Sequence, residues 1–282
     1  MRKPEKQLAE LITRHQPAAI ISTYPLYPYF TERIFRERGS KVPVFTVVTD
    51  SIAINAAWRK APTDYWLVTD QHTKESLINQ GLPETRIIDS GFPVNPHFAD
   101  LTPVSDKADV APLRMLYFPT PKKPHVRRVS RELLDATGPD SRLTIVLGKY
   151  LRKIHSRAKE IEAEYPGRVT LKGWTKKVPE LLNSHHLVVG KAGGATVHEA
   201  LAAECPMLIH HLVPGQEEGN LALLRRLNGG YLADTEGALS QHLSDMLAEN
   251  SSLWREMKQN LSKQSRPAAA QQAADFILSH LD

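Results

Sequence analysis

Short apolar runs of strand character alternate along this chain with stretches of helical periodicity, and that alternation most restricts its fold. Leu8, Leu11 and Ile12 recur at helical spacing, and Ala18-Ala19-Ile20-Ile21 is a short apolar run that ends at Ser22-Thr23. Residues 29–38 read as a second helix, stopped at Gly39, where a left-handed residue ends a helix. Residues 42–48 are rich in β-branched side chains and read as a strand closed by Thr49-Asp50. A strand over 65–69, a helix over 73–80 and a strand over 86–89 follow. Such alternation predicts βαβ units and parallel sheets, an α/β fold.

The segment 92–113 breaks the pattern with Pro93, Pro96, Pro103 and Pro112 and no clear periodicity. Beyond it, strand-like runs return at 113–118, 143–147, 169–171, 187–189 and 207–210, and helices dominate from Gly237 onward. The chain has 282 residues, and at ~100–200 residues per domain that suits one large or two modest domains. The expected organisation is an N-terminal lobe over 1–104, a second lobe over 105–266, and a last helix over 267–282 packing back toward the first.

Composition excludes several classes. Lys and Arg number 36 against 31 Asp and Glu, a net charge of +5. That excess suits a phosphate-bearing ligand or an anionic membrane surface and does not indicate nucleic acid. The single cysteine, Cys205, excludes a disulfide framework and a cysteine-rich zinc site. No stretch approaches the ~18–20 consecutive apolar residues of a bilayer span. Met1-Arg2-Lys3-Pro4-Glu5-Lys6 leads into a helix pattern and not into the apolar core of a signal peptide, so a cytoplasmic protein is expected.

The most informative segment runs from Leu187 through Gly190-Lys191-Ala192-Gly193-Gly194-Ala195-Thr196 to Glu199 and Ala202. An apolar strand enters a glycine pair and then an alanine-rich helix. Adjacent glycines allow close backbone approach, and the free N–H groups and positive dipole end of the helix favour an anion such as a diphosphate. Glu199 lies one turn in, on the face of Thr196, where its carboxylate can accept both hydroxyls of a ribose. A plain tight strand–helix turn is the competing reading. A second strand, over 206–209, leads through Pro214-Gly215 to Gln216, Glu217 and Asn220 at another helix start. Both polar clusters fall outside the carboxyl ends of strands, where open α/β sheets bind ligands; for either alone, a solvated helix cap would suffice.

Together, Lys191-Ala-Gly-Gly-Ala-Thr-Val-His-Glu-Ala-Leu-Ala, Pro206-Met-Leu-Ile and Pro214-Gly-Gln-Glu-Glu-Gly-Asn resemble the donor site of the galactosyldiacylglycerol synthases and processive diacylglycerol glucosyltransferases, relatives of the lipid-linked GlcNAc transferase of peptidoglycan synthesis. The resemblance continues in Val169-Thr-Leu-Lys-Gly-Trp174, in Asp89-Ser-Gly-Phe-Pro-Val-Asn-Pro-His-Phe98 and in Thr49-Asp50…Trp58. It implies a GT-B fold of two Rossmann-like lobes, with a UDP-sugar as donor substrate, no cofactor and no metal. It also implies a lipid acceptor met at the inner membrane surface and inverting transfer of a hexose. By motif, Gly193, Gly194 and Thr196 would hold the diphosphate and Glu199 the ribose. Gln216, Glu217 and Asn220 would contact the hexose and nearby phosphate, and Gly148 and Trp174 would border the uracil. Asp50, Asn55 and Trp58 would lie on the acceptor side.

Three departures stand out. The family's opening strand and Gly-rich loop ending in histidine have no counterpart before Pro17, so the N-terminal lobe is expected to be truncated, and no residue is named as catalytic base. Asn55 stands where the family usually has a histidine, and Asn cannot take a proton at neutral pH. Pro119-Thr-Pro-Lys-Lys-Pro-His125 replaces a glycine-rich loop, with the charges of Lys122, Lys123, Arg127 and Arg128 read as solvated. A non-catalytic nucleotide-sugar-binding protein is therefore the alternative, and an epimerase on a similar fold fits the Gly-Gln-Glu-Glu-Gly-Asn pattern poorly. The pairs His185-His186 and His210-His211 are set aside as metal ligands, because neighbours on a strand face opposite ways.

Overall fold

A computed structural model describes residues 3–39, 41–120, 126–215 and 217–281. The chain forms two units, Met1–Pro93 with Ala268–Asp282, and Val94–Pro267. The division falls upstream of the expected joint near residue 105. The reason lies in segment 94–113: its 3-10 turn Pro96–Asp100 packs on the helix Val178–Ser184, and Val110 joins the core of the second unit.

The first unit is built on a four-stranded parallel sheet of β1 (Ile20–Ser22), β2 (Val44–Val47), β3 (Tyr65–Val68) and β4 (Ile87–Asp89), in chain order. Alternation sorts the two faces. Phe45, Val47 and Leu67 pack with Ala273 and Ile277 of the last helix, Ala269–Leu278, which carries the C-terminal segment into this unit. Trp66 and Val68 point the other way, with Val48, Ile54, Trp58, Leu77 and Ile87. A sheet covered on both faces explains why its central strands read as continuous apolar runs. The helix Tyr27–Arg38 ends where Gly39, at φ +67, donates its N–H to Phe35 O at 2.9 Å.

The second unit has a six-stranded parallel sheet of β5 (Arg114–Tyr117), β6 (Arg142–Val146), β7 (Val169–Lys172), β8 (Leu187–Lys191), β9 (Met207–His211) and β10 (Gly230–Leu232). Their spatial order is β10-β9-β8-β5-β6-β7. The chain thus begins in the middle, builds outward one way and then the other, which places a switch point between β5 and β8. The helix Val126–Asp135 buries Val126, Val129, Ser130, Leu133 and Leu134, one face at helical spacing, against this sheet. Trp254, on the long segment Ala238–Ser262, is fully buried and donates its indole N–H to His186 O at 2.7 Å.

The sequence analysis did not anticipate β10. Its Gly230 lies so near β9 that a Cβ there would sit 2.5 Å from Met207 O, and one at Gly229 would sit 2.4 Å from Leu261 Cδ2. Close backbone approach selects glycine here, at the expense of the β-branched signal by which strands are recognised. Nor was the break in the long C-terminal helical segment anticipated. Glu249, Asn250 and Ser251 adopt left-handed backbone at φ 49, 56 and 60, a turn that no glycine or proline marks.

Candidate functional site

The polar residues singled out in the second unit gather at the carboxyl ends of its strands. β8 ends at Lys191, Ala192 is buried, and the helix α8 (Gly194–Ala202) begins after Gly193. Gly193, at φ −71 and ψ 140, has a backbone open to any residue. What it lacks is room: a Cβ there would lie 3.0 Å from Lys191 Nζ and 3.6 Å from Glu217 Oε1. A side chain at 193 would thus meet the end of the Lys191 side chain. Thr196 stands in the first turn, its methyl turned toward Gly190 and its hydroxyl without a hydrogen-bond partner among the described residues.

Glu199 follows one turn further along the same helix. Its half-buried carboxyl has no hydrogen bond or ion pair among the described residues, and burial alone pushes its pKa up to about 7 from 4.5. A carboxylate partly withdrawn from water, with no partner among the described residues, has free acceptor capacity for two ligand hydroxyls.

The β9 side completes the cluster. Glu217 precedes the helix α9 (Glu218–Arg226) and is buried, with Oε2 accepting the Val213 N–H at 3.1 Å and Oε1 paired with the Lys191 ammonium. Asn220, 2% exposed, donates from Nδ2 to Ala192 O at 3.0 Å, tying α9 to the loop before Gly193. Its Oδ1 is buried with no partner among the described residues. The structure thus brings Gly193, Gly194, Thr196, Glu199, Glu217 and Asn220 together. Gln216 lies outside the described residues, as do Lys122, Lys123 and His125.

Gly148 and Trp174 occupy the other half of the same sheet edge. Gly148 follows β6 at φ +62 with open space where a Cβ would stand, and the Leu147 N–H donates to Lys172 O at 2.8 Å, closing β6 onto β7. Trp174, just past β7, is 56% exposed. An indole this free, beside a side-chain-free turn, has surface to offer a planar ring. Arg127, half-exposed, pairs with Glu160, and Arg128 pairs with Glu132.

In the first unit, Asp50, Asn55 and Trp58 bond within their own loop. The Trp58 indole N–H donates to Asp50 Oδ2 at 2.7 Å, and Asn55 Oδ1 caps the short helix Ala56–Arg59 by accepting the Ala57 N–H at 2.9 Å. Burial raises the Asp50 pKa and the Trp58 hydrogen bond opposes it. The histidine pairs also serve the scaffold. His185 bonds Leu181 O and Thr144 Oγ1, and His186, held near pKa 4 by burial, accepts the Arg114 N–H at 3.1 Å. Lys191, at the end of β8, joins the cluster through Glu217, a contact that no local spacing in the sequence indicates.

Residues 4–94 match the family model for monogalactosyldiacylglycerol (MGDG) synthase. A processive diacylglycerol beta-glucosyltransferase of Bacillus licheniformis is 27% identical over 261 residues, covering 91% of this chain and 67% of the relative. Its counterpart in Bacillus subtilis is 26% identical over the same shares. Among solved structures, the MurG of Acinetobacter baumannii aligns with a TM-score of 0.71 at 16% identity, over 98% of this chain and 77% of that one. UDP-GlcNAc 2-epimerase from Neisseria meningitidis, bound to UDP-GlcNAc, aligns at 0.69 with 12% identity, over 98% and 80%. These structural likenesses establish the fold, two Rossmann-like lobes of GT-B type. In sequence, the chain is similar to the MGDG synthase family over residues 4–94 and to processive diacylglycerol beta-glucosyltransferases over most of its length.

Proposed function

We propose that this chain transfers a hexose from a UDP-sugar to the hydroxyl of a diacylglycerol-like lipid, with inversion at the anomeric carbon. The observation that carries the reading is Glu199: a partly desolvated carboxyl, with no partner among the described residues, one turn into a helix that starts beside the switch point of a parallel sheet. That is where a nucleotide's ribose would lie when its diphosphate meets the helix start. Gly193, Gly194 and Thr196 take the diphosphate in this scheme, and Glu199 takes the ribose hydroxyls. Glu217 and Asn220 face the hexose, and Gly148 and Trp174 border the base.

Transfer joins the acceptor oxygen to the anomeric carbon as the bond from that carbon to the diphosphate breaks, and the acceptor hydroxyl gives up its proton. The leaving UDP gains negative charge, which the backbone N–H groups and dipole of α8 would meet without a metal ion. Inversion follows from the relatives' names, since a β-glycoside made in one displacement from an α-linked nucleotide sugar is inverted. Among the described residues no helix is long and apolar enough to cross a membrane. The exposed Ile21, Tyr24, Leu26 and Tyr27 give the first unit apolar surface suited to a lipid interface, and we place the chain peripherally on the cytoplasmic face.

The test is UDP release from UDP-glucose and UDP-galactose with and without diacylglycerol in mixed micelles. Release that needs the lipid, with a glycolipid formed and Glu199→Ala inactive, supports the proposal. Tight UDP binding with no turnover would favour the non-catalytic alternative, and a change in the sugar without lipid would favour epimerisation.

A further inference from the structure

Lys191 has a geometry that neither strand pairing nor solvation explains. The register between β8 and β9 slips at Gly190/Lys191, so that Gly190 faces Ile209 while Lys191 faces His211. Such irregularities re-aim a side chain where a strand leaves its ladder. The Lys191 side chain is 48% exposed, yet its ammonium is turned back over the loop onto a carboxylate only 5% exposed, that of Glu217. There it stands close enough to Gly193 that any Cβ at that position would crowd it. Glu217 is itself fixed by the Val213 N–H, so the ammonium is held from behind. An ammonium has three donors, and a carboxylate pairing leaves others free toward solvent. Facing that loop from α9, the Oδ1 of Asn220, a residue 2% exposed whose Nδ2 is bonded to Ala192 O, is buried without a partner among the described residues.

We propose that Lys191 is the cation of the donor site, positioned by Glu217 over the first turn of α8 to bind the diphosphate of a nucleoside diphosphate. The inference rests on the reading of this site as a UDP-sugar site and adds to it a side-chain charge. Glu217 then has two roles: it orients the ammonium, and it needs that ammonium as a screen between its own charge and the diphosphate. The glycine at 193 follows from the same geometry, because the space a side chain would fill belongs to the ammonium and the phosphate.

The experiment is calorimetric titration of UDP and of uridine into the full chain, Lys191→Met, Glu217→Gln and the double variant. Lys191→Met should lower UDP affinity about tenfold or more while uridine affinity stays within about twofold, as expected for one charge-assisted contact to phosphate. The double variant removes the buried carboxylate as well, and its UDP affinity should remain low. If the double variant recovers the affinity of the unmodified chain, Lys191 only screens Glu217 and the proposal is overturned. It is overturned too if folded Lys191→Met binds UDP unchanged, or loses UDP and uridine alike. Should Lys191→Met not fold, Lys191→Gln should show the loss and Lys191→Arg should restore binding. An unmodified chain that binds neither UDP nor uridine ends the donor-site reading and this inference together, whereas failure of the Lys191 variants alone leaves the donor site standing.

Discussion

Two half-buried carboxyls, Glu199 in the second unit and Asp50 in the first, are raised in pKa by burial and differ in everything else. Asp50 accepts the Trp58 indole N–H at 2.7 Å, so part of its desolvation is offset within the fold. Glu199 has nothing offsetting it, and burial is its sole influence. The contrast extends to their surroundings. Asn55 caps a helix, whereas Thr196 and Asn220 Oδ1 are without partners among the described residues. Buried polar groups are nearly always satisfied in folded proteins. Asp50 and Asn55 spend their hydrogen bonds on their own loop, whereas Glu199, Thr196 and Asn220 Oδ1 keep capacity that a ligand could use.

The largest effects should come from Glu199. Its folded pKa of about 7 exceeds the ordinary 4.5, so between those values the folded chain binds more protons than the unfolded one. Stability therefore falls as pH rises from about 4.5 to 7, with the penalty absent below that window and complete above it. Two and a half pH units at about 1.4 kcal/mol each make that penalty of the order of 3 kcal/mol. Glu199→Gln should remove it, giving a chain more stable at pH 8 and a flatter denaturation midpoint between pH 4.5 and 7. Urea titrations across that range check this, and an unchanged pH profile would place the carboxyl in water. UDP binding should show the reverse dependence, tightening as pH climbs through 7, because two ribose hydroxyls donate to the carboxylate and not to the acid. Glu199→Ala should weaken UDP by roughly tenfold to a hundredfold, the scale of one or two hydrogen bonds to a charged group.

Much of this contrast was open to reading from residues alone, and part of it was not. Central strands such as β2, β3 and β8 were legible because burial on both faces leaves a run of apolar residues. β10 was not, because Gly230 serves close approach to the Met207 backbone and the preceding Gly229 to the Leu261 side chain. In the site, Gly193, Thr196 and Glu199 sit within the first two turns of one helix and its cap, so local spacing places them together. The pairs Lys191–Glu217 and Asn220–Ala192 join residues 26 and 28 positions apart, and only the adjacency of β8 and β9 makes them contacts. Asp50, Asn55 and Trp58 show the opposite limit. A motif marks where a residue stands, but whether its hydrogen bonds are spent inside the fold depends on neighbours that the motif does not name.

The first unit supplies the smaller effects, and they bear on stability. Asp50→Ala strands the indole N–H of the buried Trp58 and should cost about 1–3 kcal/mol, whereas Asp50→Asn keeps an acceptor and should cost less. Both should leave UDP affinity within about twofold, since the contacts assigned to the donor belong to the second unit. A tenfold loss of UDP affinity in either would mean that the loop does more than support itself. Asn55→Ala should cost about 0.5–1 kcal/mol, the low end for a lost helix cap, because the helix it caps is only Ala56–Arg59. Asn55→Asp keeps the acceptor and should restore that stability. If Asn55→Ala instead lowers lipid-dependent turnover while the melting temperature and UDP affinity hold, the exposed amide of Asn55 faces the acceptor as well as its own helix. The division between partnered and partnerless groups would then describe the free chain alone.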